Sequence, residues 1–139
     1  MRRTIRGFSF IEVLLVVAII GLLSAIAIPA LIGQKKNAEL VGDAQQNTKN
    51  LQMLLETRKA DNGIYGTAGV PTVWNPDGTV TGGPNLAPLF APKGSSNMTY
   101  TLTIGATGLT YDLTINDNRT GKGNAKIYQT NQTGQQLYP

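Results

Sequence analysis

A chain of 139 residues has room for one domain besides an anchoring segment. It carries 12 Lys and Arg against 8 Asp and Glu. Arg2, Arg3 and Arg6 crowd the tip, so the rest is nearly neutral and offers no electrostatic footprint for nucleic acid. The absence of Cys and His excludes disulfide frameworks, thiol chemistry, His-ligated metals and His-dependent triads.

The N-terminus reads Met1-Arg2-Arg3-Thr4-Ile5-Arg6-Gly7-Phe8-Ser9-Phe10-Ile11-Glu12, and no charge follows from Val13 through Gln34. At ~1.5 Å per residue that uncharged run spans ~33 Å as a helix, about one bilayer core. The arginine-rich tip predicts a single pass with the N-terminus in the cytoplasm. Glu12 is the anomaly. A charged side chain at the centre of a membrane helix costs roughly 2.5–3.5 kcal/mol, so it needs a partner. Two simple readings leave it unexplained: a secretory signal peptide, for which Ala25-Ile26-Ala27 supplies an A-x-A site, and a plain membrane anchor. A third reading gives Glu12 a cation. Cleavage after Gly7 would free the α-amino group of Phe8, positive below its ordinary pKa of ~8. That amine lies four residues from Glu12 on the same helix face, or can come from a neighbouring chain. At ~4 Å and an effective dielectric of ~20, the pair attracts by roughly 4 kcal/mol, the size of the insertion penalty. A charge that only a second subunit compensates favours assembly in one register.

The segment Gly7-Phe8-Ser9-Phe10-Ile11-Glu12-Val13-Leu14-Leu15-Val16-Val17-Ala18-Ile19-Ile20-Gly21-Leu22-Leu23-Ser24-Ala25-Ile26-Ala27-Ile28-Pro29 resembles the class III signal and first helix of the type IV pilin and pseudopilin family. Gly7 and Phe8 match the residues flanking the scissile bond, and Glu12 and Pro29 match the pattern's glutamate and proline. Ser9 and Phe10 stand where the family has threonine and leucine. The resemblance covers about the first thirty residues. It implies that a membrane-embedded prepilin peptidase removes residues 1–7 and methylates the Phe8 amine. It also implies a homo-oligomeric helical filament, built with minor pilins or pseudopilins by an inner-membrane assembly platform and a cytoplasmic ATPase. Glu12 would pair with the Phe8 amine during docking. The implied localisation is the inner membrane as precursor, then a periplasmic pseudopilus or a surface pilus.

Residues 8–60 read as one long helix, in which 8–33 form the membrane or filament-core part and 34–61 the part belonging to the globular domain. Gly21 and Ala25 make a small-xxx-small pair that admits close helix approach, although small residues are common in membrane helices. Pro29 removes a backbone donor and crowds the Ala25 carbonyl, which predicts a kink or local unwinding. In the resembling family, lost helicity before this proline would give the fibre extensibility. Beyond Pro29 the pattern turns amphipathic: Val41, Ala44, Thr48, Leu51 and Leu55 form a stripe, flanked by Leu40 and Leu54, for docking on a sheet. Asn62-Gly63 is a stop signal.

Residues 62–97 hold many of the Pro and Gly and correspond to the family's variable loop. Asn75-Pro76-Asp77-Gly78 predicts a turn between short extended pieces at Pro71–Trp74 and Thr79–Thr81. Trp74 reads as packing rather than as a recognition hot spot. Over 98–139, Tyr100, Leu102 and Ile104 and then Leu109, Tyr111, Leu113 and Ile115 alternate with polar residues around a Gly105–Gly108 hairpin. A third strand is predicted at Ala125–Thr130. The expected fold is α+β: a long N-terminal helix, kinked at Pro29, packed on a small antiparallel sheet of three to four strands.

Asn116, Asp117 and Asn118, with Asp112 nearby, supply oxygen ligands for Ca²⁺, with Asp112 and Asp117 the weak carboxylate candidates, and the resembling major pseudopilins often bind calcium near the sheet. The Asx spacing is not that of an EF-hand, and Asx clusters also form turns. No cofactor is otherwise expected. Asn97, Asn118 and Asn131 open N-x-T triplets that arise readily in a chain rich in Asn and Thr. No nucleophile with a positioned base appears, so an enzyme is not expected. The expected function is a major pseudopilin of a type II secretion system. Asp61-Asn62-Gly63-Ile64-Tyr65 is similar to the Asp-Asn-Gly-x-Tyr-Pro stretch of that subfamily, although Gly66 replaces the proline and the later Asp-Pro-Trp-Gly-like segment is missing. The alternatives are a type IV pilin and a membrane-anchored binding module presenting the Gly/Pro-rich loop.

Overall fold

The computed structural model describes residues 7–94, 97–119 and 123–138. The arginine tip with its expected orientation, the rest of the leader before Gly7, and Thr120 of one N-x-T triplet lie outside the described residues. The α1 helix runs Phe10–Asn62. Six strands follow: β1 Thr72–Trp74, β2 Val80–Gly82, β3 Met98–Ile104, β4 Tyr111–Asp117, β5 Ala125–Asn131 and β6 Gln136–Tyr138. The chain divides into two compact units, Met1–Ala38 and Glu39–Pro139.

In the first unit α1 is apolar on every side, with a mean hydropathy of 2.8 over its best window, none of which is buried. It is long and apolar enough to cross a membrane. Its helical assignment continues through Pro29, so the expected unwinding is absent from the single chain. One missing N–H removes one i→i−4 bond, and the bonded turns on either side continue the helix.

The second unit is a helix on an antiparallel sheet. Leu40, Ala44, Thr48, Leu51 and Leu55 are buried, which places Leu40, rather than Val41, at the start of the docking stripe. They share a core with Tyr100, Leu102, Leu113 and Ile115. Gly63 ends α1 in the left-handed region (φ 78°), and its N–H donates to the Lys59 carbonyl at 2.7 Å, satisfying one of the helix's last free carbonyls. The chain then folds back. Tyr65 is buried, its hydroxyl donates to Glu56, Lys59 Nζ lies 4.7 Å over its ring, and Arg58 Nε donates to its carbonyl at 2.9 Å. Burial, reinforced by the Glu56 carboxylate, raises the Tyr65 hydroxyl above its usual range. Burial likewise pushes Tyr100 and Tyr111 up to about 12.

The sheet order is β2-β1-β3-β4-β5-β6, antiparallel throughout. The architecture is the expected α+β, with six strands where three to four are predicted. The additional pairing comes from short pieces. The Asn75–Thr79 turn is closed by Asn75 N–H to the Thr79 carbonyl (2.9 Å) and Gly78 N–H to the Asn75 carbonyl (3.0 Å), with Gly78 at φ 81°. It brings β2 back along β1, and β1 joins β3 in register Trp74↔Tyr100. Trp74 is buried and packs edge-on against Phe90 at 5.5 Å, and Phe90 against Tyr100 at 5.3 Å. The β3–β4 connection is longer than the expected four-residue turn. Leu109 is 48% exposed and precedes β4. The connection docks on the segment after α1, since Tyr65 N–H donates to the Gly108 carbonyl at 2.9 Å.

Candidate functional site

Gly7, Phe8 and Ser9 precede the first helical residue. The peptide between Gly7 and Phe8 is therefore outside the helical hydrogen-bond ladder, and beyond its chain neighbours no atom of the described residues lies within 4 Å of a Cβ built on Gly7. Ser9 caps the helix: its carbonyl accepts from the N–H groups of Glu12 (3.0 Å) and Val13 (3.3 Å). The Glu12 side chain reaches back, and its Oε2 accepts the Ser9 backbone N–H at 2.9 Å. Ser9-Phe10-Ile11-Glu12 thus has the S-x-x-E spacing of a capping box, the device that explains why α1 starts at Phe10 rather than Phe8. The Ser at i and Glu at i+3 were readable in the sequence. The charge anomaly at Glu12 masked that local role.

The carboxylate opens onto apolar surroundings. Phe8, Glu12, Val13, Val16 and Val17 line a shallow concavity of about 380 Å³, and Phe8 and Phe10 are 87% and 80% exposed. A negative charge in the first turn gains about 0.3–1 kcal/mol from the helix dipole. That is less than the ~2.5–3.5 kcal/mol that a charge costs at the centre of a membrane helix.

Gly21 and Ala25, one turn apart on α1, are both exposed, and apart from the local helix backbone nothing among the described residues lies within 4 Å of a Cβ at Gly21. Pro29, a further turn on, continues the same face. The two calcium candidates are not brought together. Asp112 is exposed and Asp117 is buried, and being five residues apart along β4 they point to opposite faces of the sheet. The Asp117 carboxylate is held by Arg119, whose Nη2 lies 2.7 Å from Oδ2, a role for Arg119 that sequence reasoning missed. Among the described residues no group of three or more Asp and Glu is placed to hold a metal ion. Of the triplet asparagines, Asn97 is exposed, Asn118 donates to Thr99 Oγ1, and Asn131 Oδ1 accepts from the Thr133 N–H at 3.1 Å in a local turn.

A second missed residue is Asn47, buried within the docking stripe. Its Nδ2 donates to the Lys93 carbonyl (2.7 Å) and lies 2.8 Å from the Tyr100 hydroxyl, while its Oδ1 accepts the Lys93 N–H (2.9 Å). It fastens the segment ahead of β3 to the helix. Its spacing, three residues after Ala44 and four before Leu51, was the available signal.

Residues 2–28 match the family described as the prokaryotic N-terminal methylation motif. The chain thus carries, at its N-terminal end, a motif for N-terminal methylation. Over 67 residues it is 34% identical to the type II secretion system core protein G of Dickeya chrysanthemi, an alignment covering 48% of this chain and 43% of that protein. The chain spans less than half the length of that curated relative. No solved structure matches it.

Proposed function

We propose that this chain is a filament-building subunit of the major pseudopilin type, stored in the inner membrane as a precursor and assembled into a periplasmic pseudopilus that serves protein export. The observation that carries this reading is Glu12: an anion at the start of an apolar helix, with one internal N–H donor and a charge deficit that a neighbouring chain can cover. In this scheme prepilin peptidase cuts between Gly7 and Phe8 and methylates the new amine. The amine then meets Glu12 of the same or an adjacent subunit, and Gly21, Ala25 and Pro29 form the face along which helices pack. The partners are other copies, minor pseudopilins, the assembly platform and its ATPase. The type II assignment is supported by the similarity to core protein G and by Asp61-Asn62-Gly63-Ile64-Tyr65 at the end of α1.

A type IV pilus is the second reading, favoured by Gly66. Where the pseudopilin pattern has proline, Gly66 is buried and a Cβ there would lie 2.8 Å from Leu86 Cδ1. Deleting the gene separates the two. Loss of an exported protein with surface fibres unchanged is expected for the pseudopilin. Loss of surface fibres or twitching with export intact would move the assignment to a pilin.

A further inference from the structure

The resembling subfamily leads one to look for calcium beside the sheet, and the β4–β5 connection is where Asp117 offers a carboxylate. Asp117 is 2% exposed, and a buried carboxylate needs paired donors to stay ionised. Arg119 supplies them. Its Nε lies 3.0 Å from both Oδ1 and Oδ2, its Nη2 lies 2.7 Å from Oδ2, and its backbone N–H donates to Oδ1 at 3.0 Å. A carboxylate has about four acceptor sites, so these contacts occupy most of what a metal would use. The surroundings hold the pair in place. Asp117 pairs with Ala125 across the connection, the Asn118 N–H donates to the Asn97 carbonyl at 2.8 Å, and Asn118 Nδ2 donates to Thr99 Oγ1. Gly123 and Asn124 carry the chain back in left-handed conformation (φ 61° and 59°). The other candidate, Asp112, lies on the opposite face and cannot join them.

We infer that Arg119 is a cation that holds Asp117 at the end of β4, standing in place of a divalent ion there, so that the Glu39–Pro139 unit folds independently of calcium. The guanidinium donates to the carboxylate from a fixed planar fork, and it arrives with the chain rather than from the medium. This device serves a pseudopilus or a pilus subunit alike, and its test reads stability rather than assembly.

The full chain in detergent micelles is melted in EGTA and in about 5 mM calcium chloride, above the weakest ordinary extracellular calcium affinities of about 10⁻³ M. The two curves are expected to coincide. A saturable rise in Tm with calcium overturns the inference. In EGTA, Arg119→Gln is expected to lower Tm by about 12 °C or more, whereas an unchanged Tm also overturns it. If that variant fails to accumulate, the double variant Asp117→Asn/Arg119→Gln decides. With both charges removed it is expected to be recovered where the single variant is not. Equal failure of the double variant would mean that charge compensation is not what Arg119 supplies.

Discussion

Replacing Glu12 with alanine is expected to leave a chain that reaches the membrane but builds no filament. The two roles of the carboxylate differ in size. As a helix cap it accepts one N–H from Ser9, a contribution of about 1 kcal/mol. As the proposed partner of a Phe8 amine freed by cleavage, it would contribute roughly 4 kcal/mol at ~4 Å and an effective dielectric of ~20. At about 1.4 kcal/mol per tenfold, losing the second weakens each subunit contact roughly a thousandfold. Losing the first frays one turn of a long helix. Glu12→Gln separates the roles, because its amide oxygen can still accept the Ser9 N–H while the charge is gone. The account predicts that both variants insert normally and that both fail in a sheared-filament assay. If Glu12→Gln assembles like the parent and Glu12→Ala does not, capping is the role that matters, and the intersubunit ion pair is wrong. An anchored binding module would tolerate either change.

The second large effect is expected at Asn47. Alanine there deletes the paired bonds to the Lys93 backbone and the contact with the Tyr100 hydroxyl, leaving that buried hydroxyl with the Met98 sulfur as its remaining partner. At about 1–3 kcal/mol for a buried group left unsatisfied, the loss is about 2–3 kcal/mol, or roughly 8–20 °C in Tm for a domain of this size. Lys49, exposed two residues along the same helix, is the control, and its alanine variant should stay within about 0.5 kcal/mol of the parent. Chemical denaturation of the two variants checks this. An Asn47→Ala chain as stable as Lys49→Ala would show that the clamp on Lys93 carries no weight.

The legible parts of this fold are those in which hydrophobic period and burial coincide. Ala44, Thr48, Leu51 and Leu55 form the inner helix face, and Tyr100, Leu102, Ile104, Tyr111, Leu113 and Ile115 the inner sheet face, as their spacing predicts. What period could not reveal was polar and local. β1, β2 and β6 are three residues each, too short for alternation to register, and β1 and β2 are aligned by backbone bonds in the Asn75–Thr79 turn. Leu109 continues the alternation in sequence, yet the docking of Gly108 on Tyr65 keeps it out of the strand. Asn47 is a polar residue in the phase of a hydrophobic stripe, and composition gives no warning that its amide will be matched. Arg119 neutralises Asp117 across a turn, a pairing set by local geometry. At the N-terminus the opposite happened: Glu12 stood out through its charge, and the structure added that it also begins the helix.

The trimmed N-terminus is the condition on which the Glu12 pairing rests, and the intact mass of the chain extracted from its native membrane tests it most directly. The account predicts a mass lacking residues 1–7 and carrying one additional methyl group, which tandem fragmentation places on the amine of Phe8. A full-length, unmethylated chain recovered from assembled filaments would contradict it.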